Sequence, residues 1–239
     1  MKQRKTSHPR VGVIIPAGGS GTRMGGPLLK QFLPLRGSPI LLRTLRAFDG
    51  HPDIDEIVVA GPAGFLARIR RMVARGGFVK VTGVVEGGGN RQASVENALR
   101  ALSPGITIVL VHDAVRPLVE PRVISQVIES AARWGAAAAA APALDTVHWE
   151  GAPGFFTRTL ARRRIWNVQT PQGFRRAILE EAHRRARRSG LTATDDASLI
   201  LRLGRRVRIV ESPPRNLKIT SPDDLRTASA LIGRQEARK

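Results

Sequence analysis

The chain has 239 residues, of which 42% are hydrophobic, and this is enough for one sizeable core. Cysteine is absent, which excludes disulfides, thiolate metal sites and cysteine nucleophiles. Lysine and arginine outnumber aspartate and glutamate by 39 to 19, for a formal net charge of +20. Such a balance suggests polyanionic partners, either nucleic acid or phosphate-rich small molecules. The alternative is a general bias of the composition towards arginine, alanine, glycine and proline, which would account for the excess of positive charge without any functional role.

The chain offers no pattern for export or membrane insertion. No apolar signal region follows the basic first ten residues, and no run approaches the roughly 18 apolar residues of a membrane span. We therefore expect a soluble, cytoplasmic protein with no membrane partner. Residues 1–10 are expected to form a disordered basic tail.

Short apolar runs alternate with helical periods, which predicts one α/β domain over residues 11–239, with a mostly parallel sheet covered by helices. The predicted strands, in chain order, are 11–17, 56–61, 79–89, 106–111, 136–141, 206–212 and 216–220. The predicted helices are 39–49 with Ser38 as N-cap, 63–77, 91–102, 121–134, 175–188, 194–204, and a last one from Ser221. Residues 143 to 168 are predicted to form an inserted two-stranded arm.

A glycine-rich loop, PAGGSGTRM from Pro16, directly follows the first strand, where an α/β sheet places its ligand crevice. It is not a Walker A loop, because Pro27 stands where the lysine is needed, and Met24 breaks the dinucleotide fingerprint. Arg23 and Lys30 are placed to meet a phosphate chain. The alternative is a purely structural turn.

Asp113 emerges at the end of an apolar strand, in the stretch HDAVRP from His112. A carboxylate beside phosphate-binding cations is typical of a Mg²⁺ site that bridges protein and nucleotide. The alternative is a cap for the next turn. His112 is more typical of a half-buried structural histidine, and the absence of a histidine cluster disfavours a zinc enzyme.

Seven motifs together carry a family resemblance: PAGGSGTRM with Lys30, GGGNRQASV from Gly87, HDAVRP, Asp145-Thr146, NVQTPQGF, Thr194-Asp195-Asp196 and NLKIT. In order and spacing they resemble the 2-C-methyl-D-erythritol 4-phosphate cytidylyltransferases over residues 11 to about 230. That resemblance implies a Rossmann-like nucleotidylyltransferase domain. It also implies transfer of CMP from CTP to methylerythritol phosphate, with Mg²⁺, in non-mevalonate isoprenoid synthesis.

The resemblance also implies roles for individual residues. The implied catalytic cations are Arg23, Lys30 and Lys218. The implied CTP-binding residues are Ala17, Gly18, Gly88, Gly89, Ser94 and Asp113, with Asp113 also at the metal; relatives often have aspartate at the position of Gly89. The implied substrate-binding residues are Arg116, Thr146, Arg162, Thr170 and Thr194. The arm that bears Thr146 and Arg162 is implied to reach the partner's site, which makes a homodimer.

Bland alternatives stay open for several of these residues. Lys218 is alternatively an ordinary solvated lysine, Thr194 a helix N-cap, and Arg162 part of a solvated basic surface.

The nearest alternative function is that of a ribitol 5-phosphate or other polyol or sugar cytidylyltransferase, whose motifs overlap with those above. A nucleic-acid-binding protein is a rival from another class. It is disfavoured because tyrosine is absent, aromatic residues make up 4% of the chain, and no nucleic-acid-binding motif occurs, so we expect no specific nucleic-acid partner.

Overall fold

The structure is a computed structural model that describes residues 9–19 and 29–236. Its strands are β1 (Val11–Pro16), β2 (Pro34–Leu35), β3 (Ser38–Pro39), β4 (Glu56–Gly61), β5 (Val81–Glu86), β6 (Ile108–Val111), β7 (Ala136–Pro142), β8 (His148–Ala152), β9 (Phe155–Thr159), β10 (Trp166–Arg175) and β11 (Arg208–Glu211). Its α-helices are α1 (Ile40–Asp49), α2 (Leu66–Gly76), α3 (Arg91–Ala101), α4 (Pro121–Trp134), α5 (Arg176–Arg188), α6 (Asp196–Arg202) and α7 (Pro222–Glu236). Short 3-10 turns cover Lys30–Phe32, Ala63–Phe65 and Arg162–Arg164.

Within the described residues, seven strands form one sheet in the order β11-β7-β10-β6-β1-β4-β5. Every neighbouring pair is parallel except the two that involve β10, which runs antiparallel to β6 and β7. The predicted α/β class with a mostly parallel sheet is therefore confirmed. The chain continues from β1 to one side through β4 and β5, then returns to add β6 on the other side of β1. This makes the β1–β6 junction a topological switch point, where open α/β sheets bind ligands.

Helices cover both faces of the sheet because the strands are apolar on both faces. Val13 and Ile15 pack with α1, α2 and α4 on one side, while Ile14 between them packs with α3, α5 and α6 on the other. This alternation follows the two-residue period of a strand. The alanine run Ala136–Ala141 is a buried strand, as predicted. None of the helices in the described part of the chain is long and apolar enough to cross a membrane.

The predicted arm contains the hairpin of β8 and β9, which pair antiparallel outside the central sheet. The strand that follows, β10, was not predicted. Its sequence includes Pro171 and the polar Gln169 and Gln172, which hide the apolar alternation of a strand. β10 is irregular at this point: Val168 pairs with Ala140 and Gln172 with Ala138, so β10 advances four residues while β7 advances two.

Three local predictions were wrong. Ser38 does not cap α1: with Pro39 it pairs with β2, and the Ile40 N–H binds the Leu33 carbonyl instead. Residues 216–220 do not form a strand. They are held instead by the Asn216 side chain, which binds Gln169 and Thr170, and by the Ile219 N–H, which binds the Val115 carbonyl. Asp195, not Thr194, caps α6 by accepting a hydrogen bond from the Ser198 N–H at 3.1 Å.

We expect Gly173→Ala to destabilise the fold, because Gly173 of β10 lies directly under α4. A Cβ added there would lie 2.7 Å from Val127 Cγ1 and 2.9 Å from Leu110 Cδ2. Such overpacking typically costs about 1–3 kcal/mol. The matched control is Gly64→Ala, where an added Cβ meets nothing within 4 Å and a change within about 0.5 kcal/mol is expected. Urea unfolding of both variants measures the difference, and equal free energies of unfolding would contradict this packing.

Candidate active site

A cavity of about 400 Å³ opens at the switch point, beyond the carboxyl ends of β1 and β6. The loops after β1, β5 and β6 form its walls because parallel strands end at the same edge. Its lining residues are Pro16, Ala17, Gly18, Gly19, Lys30, Gln31, Gly88, Gly89, Asn90, Arg91, Ser94, Asp113, Ala114, Val115 and Lys218. The structure thus brings together all six residues implied to bind CTP, with Lys30 and Lys218.

The wall between β5 and α3 is shaped by small residues. Asn90 caps α3 by accepting from the Ala93 N–H at 2.8 Å. The Ser94 hydroxyl donates to the Asn90 carbonyl at 2.8 Å and accepts from the Gly88 N–H at 3.0 Å. A Cβ on Gly88 would lie 2.3 Å from Ala93 Cβ, whereas one on Gly89 would meet nothing within 4 Å. The backbone therefore needs glycine at Gly88, while Gly89 leaves room for a side chain.

A second cavity of about 230 Å³ adjoins the first, and Arg91, Asp113 and Lys218 line both. Its lining residues are Arg91, Asp113, Arg116, Val168, Gln169, Thr170, Gln172, Thr194, Asp195 and Lys218. Three of the five residues implied to bind the second substrate lie here: Arg116, Thr170 and Thr194. The irregular segment of β10 supplies Gln169 and Thr170, because β10 extends past Val111, where β6 ends.

Asp113 is the electrostatic centre of both cavities. Its Oδ2 lies 3.0 Å from Lys218 Nζ and 3.3 Å from Arg116 Nε, and its Oδ1 lies 3.5 Å from Arg91 Nε. Burial would by itself raise the pKa of Asp113, but the charges of Lys218, Arg91 and Arg116 outweigh it and hold this pKa well below its usual range. Asp113 is therefore a carboxylate at every physiological pH.

A hydrogen-bonded chain fixes the backbone on either side of Asp113. The Asp113 N–H donates to Thr170 Oγ1 at 3.0 Å, and the Thr170 hydroxyl lies 3.1 Å from His112 Nδ1. His112 Nε2 lies 3.0 Å from the Arg116 carbonyl. Since a carbonyl only accepts, Nε2 carries the proton, and Nδ1 accepts from Thr170. Burial agrees with this neutral form, since it lowers the pKa of His112 to about 4.

Lys218 is tied into the site although its segment is not a strand. The buried Asn216 side chain donates to Gln169 Oε1 at 2.9 Å and to the Thr170 carbonyl at 2.8 Å. Arg116 Nη1 donates to the Asn216 carbonyl at 2.7 Å, and the Ile219 N–H donates to the Val115 carbonyl at 2.9 Å. These contacts place the lysine against Asp113, so Lys218 is not an ordinary solvated lysine.

Two of the implied site residues lie away from the cavities, and a third is outside the described residues. Thr146 and Arg162 lie on the arm, are exposed and line neither cavity. Arg162 Nη1 donates to the Leu144 carbonyl at 2.6 Å. Arg23 lies outside the described residues, as do the first eight residues of the tail and most of the glycine-rich loop.

The structure also adds residues to which sequence reasoning gave no role. Arg91 lines both cavities, Gln172 lines the smaller one, and Asn216 anchors the segment of Lys218. All three belong to motifs recognised in the sequence. A motif does not show which of its residues line the cavity and which only support the cavity wall. One available indication was the N-cap at Asn90, which places Arg91 in the first turn of α3, beside the strand ends.

No group of three or more histidine, aspartate or glutamate side chains in the described part of the chain is arranged to hold a metal ion. Asp113 is the single carboxylate that lines the larger cavity, as far as the structure describes it. Mg²⁺ commonly takes one or two protein carboxylates and completes its shell with water and substrate phosphates. The donor set thus fits a magnesium ion bound together with a nucleotide, and does not fit an all-protein metal site.

Comparison with known proteins gives one consistent result. A sequence model of the 2-C-methyl-D-erythritol 4-phosphate cytidylyltransferase family matches residues 11–234. The enzyme of that name from Symbiobacterium thermophilum is 47% identical over 229 residues, which cover 96% of this chain and 95% of that protein. The one from Syntrophus aciditrophicus is 43% identical over 231 residues, with coverage of 96% and 99%. The crystal structure of the enzyme from Thermus thermophilus superposes with a TM-score of 0.76 at 39% identity, covering 93% of this chain and 98% of that one.

We expect stability to fall between pH 7 and pH 5 because of His112. Its pKa is lowered from an ordinary 6.5 to about 4 in the folded chain, so in this range the unfolded state binds a proton that the folded state does not. Stability is then present above pH 6.5 and is lost as the pH falls. Integration over pH 7 to 5 gives a loss of about 2 kcal/mol.

Urea unfolding at pH 7 and pH 5, without nucleotide or added metal, measures this loss. His112→Gln lowers stability at both pH values but should remove the part of the pH dependence that His112 causes. An identical pH dependence in the variant and the natural chain would show that His112 titrates normally.

Proposed function

The chain belongs to the family of 2-C-methyl-D-erythritol 4-phosphate cytidylyltransferases, and we propose that its two adjoining cavities carry out the transfer of CMP from CTP to methylerythritol phosphate, with release of pyrophosphate. The observation that carries this proposal is the shared wall of the cavities, where Arg91, Asp113 and Lys218 face both. The reaction supplies CDP-methylerythritol for non-mevalonate isoprenoid synthesis.

In this proposal the larger cavity holds CTP. Its glycine-rich walls expose backbone groups, which suits recognition of a base edge and close approach to phosphates. Ala17, Gly18, Gly88, Gly89 and Ser94 are proposed to surround the cytidine. Lys30 lines the same cavity and is proposed to contact the triphosphate, together with Arg23.

The smaller cavity is proposed to hold the polyol phosphate. Arg116 supplies a guanidinium that matches a phosphate, and the hydroxyls of Thr170 and Thr194 suit a polyol. The acceptor phosphate is itself a competent nucleophile, so no catalytic serine or cysteine is needed. What the protein must supply is positioning, together with cations that offset repulsion between two anionic reactants. Lys218 lies at the junction where the attacked phosphorus would stand, and is proposed to stabilise charge there.

We also propose that Mg²⁺ accompanies CTP, with Asp113 as its protein ligand. The ion would neutralise charge on the triphosphate and on the departing pyrophosphate. Three cations already balance Asp113, so nucleotide phosphates would provide most of the ligands. Since the reaction consumes CTP, we propose that the enzyme acts in the cytoplasm.

The arm is proposed to serve a homodimer. Its hairpin exposes Trp149, Phe155 and Phe156, and exposed apolar clusters of this kind mark interaction surfaces. Thr146 and Arg162 lie on the same arm, away from the cavities of their own chain. A partner subunit that receives the arm would bring both residues to its own smaller cavity.

The function is tested by assaying pyrophosphate release from CTP with magnesium and one acceptor at a time. We expect turnover with methylerythritol phosphate and little with ribitol 5-phosphate. The relatives described above are named for the former acceptor. Omitting the acceptor should abolish release. Turnover with ribitol 5-phosphate alone would refute the proposed substrate, and submicromolar RNA or DNA binding at physiological salt would revive the nucleic-acid hypothesis.

The crossing arm is tested at Arg162. We expect Arg162→Ala to raise the KM for the polyol phosphate about tenfold or more, a loss of about 1.4 kcal/mol, while the KM for CTP changes little. The neighbouring exposed arginines give matched controls, because Arg163→Ala and Arg164→Ala should change the KM much less. Arg162→Lys should also be impaired, since an ammonium cannot replace the guanidinium fork.

Mixing two variants distinguishes between the subunits. Lys218→Ala should lower kcat strongly, because it removes the proposed charge stabilisation. If Arg162 serves the partner's site, a heterodimer of Arg162→Ala and Lys218→Ala has one intact site and one with both lesions, so turnover at a low polyol phosphate concentration rises above that of either variant. If Arg162 serves its own site, each site of the heterodimer keeps one lesion. Absence of recovery despite demonstrated subunit exchange would therefore rule out the crossing arm.

A further inference from the structure

Arg91 joins two carboxylates that come from distant parts of the chain. It is the first residue of α3, and its Nε lies 3.5 Å from Asp113 Oδ1 while its Nη1 lies 2.7 Å from Asp196 Oδ2. Asp113 lines both cavities, whereas Asp196 lines neither. Arg91 therefore connects the two cavities with Asp196, a buried residue that does not line them.

Asp196 is a buried anion that the proposed reaction does not use. It is 1% exposed, and its Oδ1 accepts from Nε2 of the equally buried His183 at 3.0 Å. Burial would raise the pKa of Asp196, but the charge of Arg91 and the hydrogen bond from His183 lower it. Burying an ion pair is costly, and apolar residues often hold helices together equally well. Helix packing alone therefore does not account for this pair.

The start of α6, which carries Asp196, is fixed to β10. Gln172 Nε2 donates to Asp195 Oδ2 at 2.7 Å, and Gln172 Oε1 accepts from the Ala197 N–H at 2.9 Å. β10 also supplies Thr170, which binds the Asp113 N–H. One strand thus determines both the backbone of Asp113 and the position of Asp196.

We propose that Asp196 is a positioning residue, which acts through Arg91 to orient the Asp113 carboxylate at the junction of the two cavities, with His183 fixing Asp196 in turn. The guanidinium is planar, so a short contact of Nη1 with Asp196 also sets the direction in which Nε meets Asp113. Without that anchor, Arg91 keeps its charge but loses its orientation. This inference rests on the proposed function, because Asp113 must contact the reactants.

The test is a double-mutant cycle between Asp196→Asn and Asp113→Asn. Steady-state kinetics give kcat and both KM values, and urea unfolding gives stability, for the natural chain, each single variant and the double variant. In the natural background, Asp196→Asn should lower kcat about tenfold to hundredfold, the range for partners that orient metal ligands. In the Asp113→Asn background the same change should cost less than twofold, because its target is already lost. Urea unfolding of each variant shows that it is folded under the assay conditions; the stability effects are not expected to add, because both carboxylates belong to one ion-pair network with Arg91.

Arg91→Lys gives a second cycle that does not need the slow Asp113 variant. It keeps the charge but removes the fork, so it should be impaired as much as Asp196→Asn, and combining the two should cost less than twofold more. The matched control is Glu56→Gln, which removes another buried carboxylate, one that accepts from Thr82 Oγ1 and the Ser103 N–H at the opposite edge of the sheet. It should lower stability without changing kcat.

Equal loss of kcat in both backgrounds would overturn the proposal, as would a folded Asp196→Asn enzyme within twofold of natural kcat. The natural chain tests the proposed function separately. If it uses ribitol 5-phosphate instead, that function fails, while the cycles are measured with the acceptor that it does use.

Discussion

The site depends on one carboxylate held among three cations. Asp113 contacts Lys218, Arg91 and Arg116 within 3.5 Å, and each of these comes from a different segment of the chain: the segment after β11, the start of α3 and the loop after β6. Without the carboxylate, three positive charges would repel one another across a few ångströms. Asp113 therefore keeps three cations together at the point where the cavities meet, and in the proposed function these are the cations that two anionic substrates would need.

The topology of the sheet makes this convergence possible. Parallel strands deliver β1, β5 and β6 loops to a single edge, and the switch point leaves a crevice between them. β10 is the exception that completes the site. Because it runs antiparallel to β6 and extends beyond Val111, its irregular segment reaches the same edge from the opposite direction. The resulting wall holds Asp113 through Thr170 and holds the Lys218 segment through Asn216.

Sequence patterns correctly predicted the elements whose structure depends on burial of apolar runs and on local hydrogen bonds. Apolar runs such as Val11–Pro16 and the alanine strand report burial directly, and the Asn90 region shows a helix start. They failed where contacts between distant parts of the chain determine the local structure. Pro171 and polar residues stand in the irregular segment of β10. Residues 216–220 alternate like a strand but are held by contacts to Thr170 and Val115. The Ile40 N–H binds the Leu33 carbonyl, where a cap by the Ser38 hydroxyl was predicted. At the site, family motifs indicated Asp113, Lys30 and Lys218. The contacts among Arg91, Asp196 and His183 depend on three elements meeting in space, which spacing along the chain does not specify.

The excess of positive charge has a short-range effect inside the site and a long-range effect in the surrounding solvent. At the junction of the two cavities, Lys218, Arg91 and Arg116 are paired with Asp113, so their directions are fixed. Farther away, exposed arginines such as Arg158 and Arg163 add a diffuse field that draws in anions of any kind and that salt screens. A field of this sort raises the rate at which CTP and a polyol phosphate arrive but does not distinguish them from other polyanions. Selectivity must therefore come from the short-range geometry. In the proposed function, the glycine-lined wall of the larger cavity would recognise the nucleotide, and the oriented Asp113 carboxylate would set where the cations point. A net charge of +20 is thus consistent with a small-molecule enzyme and needs no nucleic-acid partner to account for it.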